Sequence, residues 1–493
     1  MIGRFFTVFG YFGQLVAAKL LGRPDRCYDI ICRAVGQLGG VYVKLLQFTC
    51  LRTDIFPDEK KMQFLSFYDE VPIEPLDVSA ILKKELGPEK MEEFTMVASD
   101  PFASGTFGQV YHATLRDGSD VIIKIKREDL VLKLRVDFFL LRCLARIVTL
   151  LFDPKIVDVL QLVREFEEST YQELDYVKEV AHAGYFYRVF RNNPHLLIPK
   201  TYESLSTSCV LVQEYVPGIS LTSLIRFRQE TGPDRYREWL TTEYQTDIYT
   251  VIKNIAFDMG IGALVADRFY ADPHPGNIKI LPNNRYALID FGIIGVSPKN
   301  KRTYYNIVSQ MIKHADAMDL AEVGKEFLKW GAGRLYRQVQ VLDDHFSVGS
   351  AGLAETIAKR YEQMLEHHRE KFRRIEETET ENFVKLYLDI IQTGQFLGVK
   401  IPEGLLATMK SVAIYKSWVT FLEPTFHHMR ETYQRILSAV DGKKLTNADD
   451  TTPSGVGVEE AMEGLLDWAG KIAEKDAPLY LRLARQFEET NYV

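Results

Sequence analysis

The spacing of apolar and polar residues divides the chain into helical and strand-forming stretches. Over residues 1–70, apolar side chains recur at intervals of three and four, which predicts helices. The pattern changes near residue 100, where two β-type runs, 108–115 and 121–126, are separated by a segment containing Asp117-Gly118. Because Asp-Gly between two such runs favours a tight hairpin, the runs are predicted to pair as antiparallel strands.

Helical and strand-forming stretches continue to alternate along the rest of the chain. Residues 128–192 return to helical spacing, and a strand at 208–216 ends at Pro217-Gly218. The following residues are mainly helical, apart from a loop at 271–277 and a short strand pair around 278–290. The predicted domains are an N-terminal helical extension at 1–70, a strand-containing lobe at 71–218, a helical lobe at 219–440, and a linker with a C-terminal helix at 441–493.

The composition is that of an ordinary globular protein. The chain has 493 residues, of which 46% are hydrophobic and 26% charged, and its formal net charge is -7. At roughly 100 to 200 residues per domain, this length predicts several domains, each large enough to bury its own core. Because a protein that neutralises many phosphates usually carries a basic surplus, the slight acidity argues against nucleic-acid binding.

Cysteine usage and apolar runs bear on the cellular location. The five cysteines are odd in number and form no Cys-x-x-Cys pair, which predicts reduced, buried thiols in an intracellular protein. A helix that spans a bilayer needs an apolar run of about 18 residues. No uninterrupted run in this chain is that long, although residues 5–18 and 138–152 come close. The first 24 residues contain no acidic residue, which fits a packed helix, a membrane-surface helix or a targeting segment. We therefore predict a cytoplasmic protein and leave peripheral membrane contact and an organellar location open.

A loop and a lysine near the predicted hairpin suit phosphate binding. Residues 103–110, Ala-Ser-Gly-Thr-Phe-Gly-Gln-Val, stand where a kinase has its phosphate-covering loop, since small residues let backbone N–H groups approach phosphate oxygens. The next strand carries Lys124, where a kinase places the amine that binds the α and β phosphates. Each feature alone also fits an ordinary structure, with glycines in a hairpin and a solvated lysine.

Two later segments supply polar side chains in the order of a phosphoryl-transfer site. Asp272 and Asn277 stand five positions apart in a proline-rich loop, and Asp290 follows a short predicted strand thirteen positions later. In kinases, an aspartate at the first position aligns the acceptor or takes its proton, whereas the asparagine and the second aspartate bind magnesium through oxygen atoms. Taken alone, the two aspartates would also fit as turn caps.

Other candidate residues flank this set. The strand at 211–216 resembles a kinase hinge, whose backbone would bind the adenine edge, with Gln213 at the gatekeeper position. Glu173 and Glu179 are both candidates for the acid that pairs with Lys124 and orients it toward phosphate. The spacing does not decide between them, and a surface salt bridge would explain either one.

Together these residues resemble the UbiB-like atypical kinases, relatives of protein kinases associated with ubiquinone and other prenyl lipids. Residues 36–47 resemble the family's KxGQ helix, residues 52–57 its downstream turn, residues 173–175 its ExD motif, and residues 271–277 reproduce its ADPHPGN sequence unchanged. The resemblance implies an α+β, bilobal protein kinase-like fold. It would have a small β-containing N-lobe, a mainly helical C-lobe and an N-terminal helical extension.

The resemblance also implies roles for residues outside the general kinase motifs. Lys44 and Gln47 would lie on a helix that crosses the active site and occludes a protein substrate. Glu173 and Asp175 would face the nucleotide and metal or anchor the extension, which favours Glu179 as the partner of Lys124. The resulting assignments are catalytic roles for Asp272, Lys124, Lys44 and Gln47, metal binding by Asn277 and Asp290, and nucleotide contacts from Ala103, Ser104, Gly105, Thr106, Phe107, Gly108, Val110, Lys124, Glu173, Asp175, Glu179, Gln213, Glu214 and Val216.

Several positions depart from the family pattern. Leu46 replaces the KxGQ glycine and adds a large side chain where the helix packs closely. Gly105 replaces an alanine of the nucleotide loop, which makes the loop more flexible and predicts more self-phosphorylation than in a typical relative. Tyr270 stands where the family usually has histidine, and no Ala-Pro-Glu sequence follows Asp290. The family's two membrane spans near the C-terminus are also missing, so membrane contact is expected to be peripheral.

The leading interpretation is an atypical kinase or ATPase that binds ATP or ADP with Mg²⁺ and serves prenyl-lipid metabolism. A second interpretation is a catalytically weak, nucleotide- or lipid-binding scaffold. A third, a small-molecule kinase of the choline or aminoglycoside type, does not explain residues 44–47 and 173–175. The expected partners are a nucleotide, a lipid or membrane surface and prenyl-lipid pathway proteins, without nucleic acid.

Overall fold

The computed structural model describes residues 2–50, 76–105, 107–127, 130–152, 159–297, 301, 305, 403–426 and 429–440. The predicted turn at 52–57, Thr106, and the predicted linker and C-terminal helix at 441–493 lie outside these residues. The chain forms two compact units, Met1–Val251 with His274–Ile293, and Ile252–Pro273 with Ile294–Val493.

Most helices and strands of the described residues lie in the stretches that the sequence pattern predicts, but the short strands at 196–197, 219–220, 268–270 and 294–296 were not predicted. The helices are α1 Ile2–Leu20, α2 Pro24–Leu38, α3 Val41–Cys50, α4 Val78–Leu86, α5 Pro88–Met91, α6 Leu130–Phe152, α7 Val159–Glu173, α8 Tyr176–Phe190, α9 Leu221–Thr231, α10 Pro233–Glu243, α11 Ile248–Val265, α12 Glu403–Leu422 and α13 Met429–Ala439. The strands are β1 Phe94–Val97, β2 Ala103–Ser104, β3 Gly108–Leu115, β4 Asp120–Lys126, β5 Leu196–Leu197, β6 Val210–Glu214, β7 Ile219–Ser220, β8 Arg268–Tyr270, β9 Ile278–Leu281, β10 Arg285–Leu288 and β11 Ile294–Val296. The predicted α+β class is confirmed.

An antiparallel sheet of five strands is the framework of the first unit. Its strand order is β1-β3-β4-β6, with β2 paired to β3. The predicted hairpin joins β3 to β4, and its turn places Gly118 at a φ of 85°, a left-handed conformation that glycine adopts without steric cost. Ile123 and Ile125 of β4 are fully buried in a cluster that includes Leu82 of α4. Because side chains alternate along a strand, Lys124 lies on the opposite face of the sheet.

The N-terminal helices α1 to α3 belong to the same unit and share a core with α6 and α7. Val8, Val41 and Leu46 are buried in one cluster with Phe138 of α6 and Phe166 of α7. Arg4 of α1 also forms an ion pair with Asp137 of α6, in which Arg4 Nη2 lies 2.7 Å from Asp137 Oδ2. The predicted extension is therefore packed against the strand-bearing part of the unit.

A second small sheet positions the residues that follow the ADPHPGN sequence. Its strand order is β5-β10-β9-β7, and β9 and β10 form the strand pair predicted around residues 278–290. A single 3-10 turn at Pro275–Asn277 leads directly into β9. The hairpin thereby brings the residue before β9 close to the residues after β10.

The second unit pairs strands that are distant in sequence. β8 and β11 are antiparallel, with Tyr270 opposite Ile294. Trp418 of α12 is buried, and its Nε1 donates a hydrogen bond to the Pro273 carbonyl at 3.0 Å. The hydroxyl of Ser411 donates to the Tyr270 carbonyl at 3.1 Å. Side chains of α12 therefore fix the backbone on either side of Asp272.

Two other expectations concern the thiols and the membrane. The cysteines at 27, 32, 143 and 209 are free but only half-buried, so the expectation of buried thiols is wrong for these four. Within the described residues, α11 is the one helix long and apolar enough to cross a bilayer, and half of it is buried inside the protein. A core helix has the same properties, so this is weak support for a membrane span.

Candidate active site

Lys124 lies at the centre of a cluster of charged side chains in the first unit. Its Nζ donates to Glu179 Oε1 at 2.7 Å and lies 3.3 Å from Asp290 Oδ2. It also approaches the Ile289 carbonyl at 3.4 Å. Three separate elements, β4, α8 and the segment after β10, thus meet at one ammonium group.

The two glutamates that the sequence left open have different partners. Glu179, almost fully buried on α8, pairs with Lys124. Glu173, at the end of α7, instead pairs with Lys44 of α3 at 2.7 Å. Asp175 caps α8 by accepting a hydrogen bond from the Lys178 N–H at 3.1 Å. The cap sets the start of α8 one turn before Glu179, which directs this carboxylate toward Lys124.

The charges of this cluster shift the pKa values of all three groups. Burial alone would lower the pKa of Lys124, but the carboxylates of Asp290 and Glu179 outweigh it and raise this pKa. Burial and the neighbouring Asp290 raise the pKa of Glu179 to about 7, against the opposing effect of Lys124. Burial also disfavours the Asp290 carboxylate, but Lys124 and the Gly292 N–H lower its pKa. Lys124 and Asp290 are therefore both charged at neutral pH.

The β9–β10 hairpin brings Asn277 next to Asp290. Ile278 is opposite Leu288 in the register, and the Ile289 N–H donates to the Asn277 carbonyl at 3.1 Å. Asp290 keeps 33% of its side chain exposed. Carboxylate and amide oxygens suit Mg²⁺, which takes few protein ligands and completes its shell with phosphate oxygens and water. These two residues fit such a metal, and among the described residues no group of three or more His, Cys, Asp or Glu side chains could hold a metal ion by itself.

Contacts from α8 hold the Asp290-Phe291-Gly292 segment in place. The Nδ1 of His182 lies 3.0 Å from the Phe291 carbonyl, and the ring of Phe186 lies 5.2 Å from that of Phe291. With Glu179, these residues occupy positions i, i+3 and i+7 of one helix face. His182 and Phe186 were not predicted from the sequence, although this helical spacing from Glu179 was a signal that could have found them.

The predicted nucleotide loop turns tightly between β2 and β3. Ala103 is opposite Val110, and the Gly105 N–H donates to the Gly108 carbonyl at 2.8 Å. A Cβ atom at Gly108 would lie only 2.6 Å from the Ile125 carbonyl oxygen, so the close approach of β3 and β4 requires glycine here. At Gly105 the nearest atom would be 3.6 Å away, which leaves room for alanine. Glycine is therefore sterically required at position 108 but not at position 105.

Arg127 fastens this loop to the end of β4. Its Nη2 donates to Ser104 Oγ at 3.0 Å and to the Gly105 carbonyl at 3.3 Å. Its backbone N–H donates to the Phe107 carbonyl at 3.0 Å. Phe107 itself is buried in the same cluster as Leu46, so the loop also belongs to the core of the N-terminal helices. The sequence analysis missed Arg127 because a single arginine after a strand resembles a solvated residue.

The predicted hinge follows β6. Gln213 is only 1% exposed, and its Oε1 is buried without a hydrogen-bond partner among the described residues. Glu214 is opposite Val121 in the sheet, and its carboxylate accepts a hydrogen bond from the Lys200 N–H at 3.0 Å. Val216 is buried against Leu281 and Ala287 of the second sheet. The hinge segment thus connects the two sheets of this unit.

Two predicted catalytic residues, Asp272 and Gln47, have no described contact with this cluster. Asp272 belongs to the second unit, whereas Asn277, five residues later, belongs to the first. Gln47 lies on α3, but its side chain is outside the described part of the structure, as is Thr106. The structure therefore brings together Lys124, Glu179, Asn277 and Asp290, with Lys44 and Glu173 paired beside them.

A lysine paired with a helix glutamate beside an Asp-Phe-Gly segment, on a strand paired with the one that follows a glycine-containing turn, defines a protein kinase-like class of site. The ABC1 atypical kinase-like domain matches residues 67–324, more than half of the chain. The chain therefore belongs to this family, which confirms the resemblance to UbiB-like kinases and the kinase-like fold class.

Individual relatives support the same family. The chain is 29% identical over 272 residues to Protein ACTIVITY OF BC1 COMPLEX KINASE 3, chloroplastic, of Arabidopsis thaliana, covering 55% of this chain and 36% of the relative. It is 29% identical over 291 residues to the probable protein kinase UbiB of Marinobacter nauticus, covering 58% of this chain and 50% of the relative. The chain thus matches half or less of the length of these relatives. One relative is named chloroplastic and the other is bacterial, so relatives occur both in an organelle and in bacteria.

A solved structure also matches in part. The complex of Rv3197 with erythromycin from Mycobacterium tuberculosis is 24% identical, covers 64% of this chain and 75% of that chain, and has a TM-score of 0.42. This score is too low to carry an argument about the fold.

Proposed function

We propose that this protein binds ATP or ADP with Mg²⁺ and transfers or hydrolyses the γ-phosphate. The observation that carries the proposal is the contact of Lys124 with both Glu179 and Asp290. A lysine held by a buried helix glutamate is pre-positioned for phosphate, and a neighbouring carboxylate suits a cation. Asn277, joined to this group through Ile289, would be the second metal ligand.

The chain's own residues would act mainly by positioning and charge. The Lys124 ammonium would bind the α and β phosphates, while backbone groups of the loop at 103–108 cover them. Asp272 would align the acceptor hydroxyl or water, a role supported by its place in the ADPHPGN sequence. Bound magnesium would supply positive charge to the phosphate oxygens. Phosphoryl transfer needs little covalent catalysis by the protein, so a site that positions the reactants and stabilises charge is sufficient for the reaction.

A thermal-shift assay of Asp290→Asn tests this function. We expect Mg²⁺ with ATP or ADP to raise the Tm of the wild type, because a ligand that binds only the folded state stabilises it. In Asp290→Asn this rise should be abolished. Asp234→Asn, on the surface of the same unit, is the matched control and should respond like the wild type. An unchanged magnesium-dependent rise in Asp290→Asn would contradict the assignment.

The Lys44–Glu173 ion pair favours a second candidate, a nucleotide-binding scaffold with little turnover. This pair attaches α3 to the ExD motif, where the helix would obstruct a protein substrate. Phosphate release with and without anionic liposomes or phenolic head-group mimics separates the candidates. Turnover supports the kinase or ATPase, and no turnover under any condition supports the scaffold.

The link to ubiquinone or other prenyl lipids forms part of the same proposal. It is supported by membership of the ABC1 family and by the similarity to a relative named UbiB. A lipid or membrane surface and prenyl-lipid pathway proteins would then be partners, at a cytoplasmic or organellar membrane face. Stimulation of phosphate release by the phenolic mimics, but not by unrelated phenols, would support this link.

A further inference from the structure

Tyr176 is a buried phenol near Lys124 to which the proposed function gives no role. It is the first residue of α8, one turn before Glu179, and is 8% exposed. Its side chain packs in one cluster with Val180 and Leu211. Leu211 is opposite Lys124 in the sheet register, and the side chains of opposite residues lie on the same face. The Tyr176 ring therefore lies on the face of the sheet that carries the Lys124 ammonium.

The hydroxyl of Tyr176 reaches the end of the proposed nucleotide loop. A Cβ atom at Gly108 would lie 3.2 Å from the hydroxyl oxygen. Lys126, which is opposite Gly108 in the register, places its Nζ 4.6 Å from the centroid of the Tyr176 ring. An ammonium over an aromatic face is an attractive contact, which helps to fix the ring. The hydroxyl thus lies between α8 and the strand that follows the loop.

The proton of this hydroxyl has no acceptor within the described part of the chain. Buried tyrosine hydroxyls usually have a hydrogen-bond partner. Burial and the neighbouring Glu179 carboxylate raise the pKa of Tyr176, against the opposing effect of Lys124. The phenol therefore keeps its proton at neutral pH and presents an unused donor next to the charged cluster.

The cations beside Tyr176 suit an anionic acceptor. Lys124 lies within electrostatic range of the phenol, and Lys126 lies over its ring. In the proposed function, Lys124 and the backbone of the loop contact the phosphates. A phosphate oxygen between the loop and Lys124 would lie close to the Tyr176 hydroxyl, and hydrogen bonds to charged oxygens are stronger than those between neutral groups.

We propose that the Tyr176 hydroxyl donates a hydrogen bond to a phosphate oxygen of the nucleotide, which makes Tyr176 a further ligand-binding residue beside Lys124. This inference rests on the proposed nucleotide binding. It assigns a direct phosphate contact to α8, whose Glu179 only orients the lysine. A neutral donor strengthens phosphate binding without adding a charge to the buried pair of Lys124 and Glu179.

The competing role for Tyr176 is that of a spacer that supports the loop at Gly108. A spacer would act whether or not a nucleotide is bound. Its loss would speed up hydrogen exchange of the loop amides or lower the free energy of unfolding of the nucleotide-free protein. A phosphate contact exists only when phosphate is bound, so its loss leaves the nucleotide-free protein unchanged.

The experiment uses the full chain and Tyr176→Phe, which removes the hydroxyl and keeps the ring. Calorimetric titration measures the dissociation constants of magnesium-ATP and of magnesium tripolyphosphate, which has phosphates but no base. We expect both ligands to bind roughly ten-fold more weakly to the variant, the scale of one hydrogen bond to a charged group. Tyr187→Phe makes the same change at an exposed tyrosine of the same helix and should bind both ligands like the wild type.

Measurements on the nucleotide-free protein separate the two roles. We expect Tyr176→Phe to keep the wild-type free energy of unfolding and the wild-type exchange rates over residues 103–110. Faster exchange there, a lower free energy of unfolding or a variant that does not fold would overturn the proposal, because a hydroxyl without an acceptor stabilises nothing in the free protein.

The binding data can overturn the proposal independently. Unchanged binding of both ligands would do so, and so would weaker binding of magnesium-ATP alone, which would place the contact outside the phosphates. If tripolyphosphate does not bind to the wild type, the change in magnesium-ATP binding decides. Magnesium-ATP binding that needs Asp290 but not the Tyr176 hydroxyl refutes only this inference. If the wild type does not bind magnesium-ATP, the proposed function fails as well.

Discussion

Two lysines of the first unit, Lys124 and Lys279, have opposite surroundings. Lys124 has two carboxylates within 3.3 Å, and their charges raise its pKa. Lys279 has a backbone carbonyl and two aromatic rings, and burial lowers its pKa. The first region is held together by opposite charges, whereas the second holds a cation next to dipoles and rings.

This difference indicates which region suits a charged ligand. At Lys124, acidic groups next to the ammonium would allow a metal ion and a polyphosphate to enter together with balanced charge. At Lys279, the ring electrons of Tyr215 and Phe102 interact with the ammonium instead. The comparison thus separates a region with carboxylates from a region with aromatic rings within one unit.

The largest expected effect comes from removing the cation of the charged region. Lys124→Met would leave Glu179 and Asp290 without their counter-ion, so we expect the free energy of unfolding to fall by about 3–5 kcal/mol. Lys279→Met should cost clearly less, since no carboxylate among the described residues loses a partner. Chemical denaturation of both variants without nucleotide measures the difference.

A double variant checks the cause of that loss. Lys124→Met with Glu179→Met replaces the buried pair by apolar side chains of similar size, which often restores stability. We therefore expect it to be more stable than Lys124→Met alone. If Lys279→Met proves as destabilising as Lys124→Met, the contrast between the two regions is wrong.

The loop over the proposed phosphate region offers the next largest effect. Gly108→Ala places a methyl group 2.6 Å from the Ile125 carbonyl, so β3 and β4 must separate, at a cost of roughly 1–3 kcal/mol. Gly105→Ala finds ordinary contact distances and should leave stability nearly unchanged, while reducing self-phosphorylation by stiffening the loop. Denaturation and phosphopeptide mass spectrometry measure the two effects. Equal destabilisation by both variants would contradict the prediction on stability. Finding no phosphosite in either the wild type or Gly105→Ala would contradict the prediction on self-phosphorylation.

An effect of intermediate size follows from the pKa of Glu179. Between pH 4.5, its ordinary value, and about 7, the folded protein keeps a proton that the unfolded chain releases. The stability from this group is fully present below pH 4.5 and is lost as the pH rises toward 7, by at most about 1.4 kcal/mol per pH unit. Glu179→Gln should remove this decline, whereas Lys279→Met should retain it. Denaturation of the nucleotide-free protein from pH 5 to about 7.5 tests the slope, and a parallel decline in Glu179→Gln would exclude Glu179 as its source.

Local signals in the sequence predicted the elements of the phosphate region. The Asp-Gly turn predicted the hairpin that presents Lys124, and the residue pattern around 278–290 predicted a short strand pair that the structure confirms. Such features depend on neighbouring residues, so their pattern is visible in one sequence. The partner of Lys124 depends instead on the packing of α8 against the sheet, which the spacing of the two glutamates does not encode.

The aromatic surroundings of Lys279 were not predicted, for a related reason. Lys279 occupies the middle of an apolar strand, where a lone lysine usually points to solvent, and only the fold brings it to the Val216 carbonyl. The pairing of β8 with β11 likewise joins segments that no local pattern connects. The roles of Asp272 and Gln47 stay predictions, since no described contact tests them.

The smallest effect on stability is expected at a third lysine, Lys44. Its ion pair with Glu173 leaves each side chain 25% exposed, so water screens this interaction more than the Lys124–Glu179 pair, whose side chains are 13% and 3% exposed. Lys44→Met should therefore change the free energy of unfolding by less than about 1 kcal/mol. Chemical denaturation of Lys44→Met and Lys124→Met under the same conditions measures the two free energies of unfolding. An equally large loss in both variants would contradict this prediction.

If Lys44→Met stays folded, a change in its phosphorylation activity would reflect the access of a substrate to the site and not a loss of folded protein. If α3 obstructs the site through this pair, releasing it by Lys44→Met should increase phosphorylation of the chain or of an added peptide. Glu173→Gln removes the other half of the pair and should act in the same direction, whereas Lys84→Met, at an exposed lysine on α4, should not. Phosphopeptide mass spectrometry after incubation with magnesium-ATP provides the measurement. Reduced phosphorylation in both pair variants would show that Lys44 and Glu173 support the site instead of restricting it.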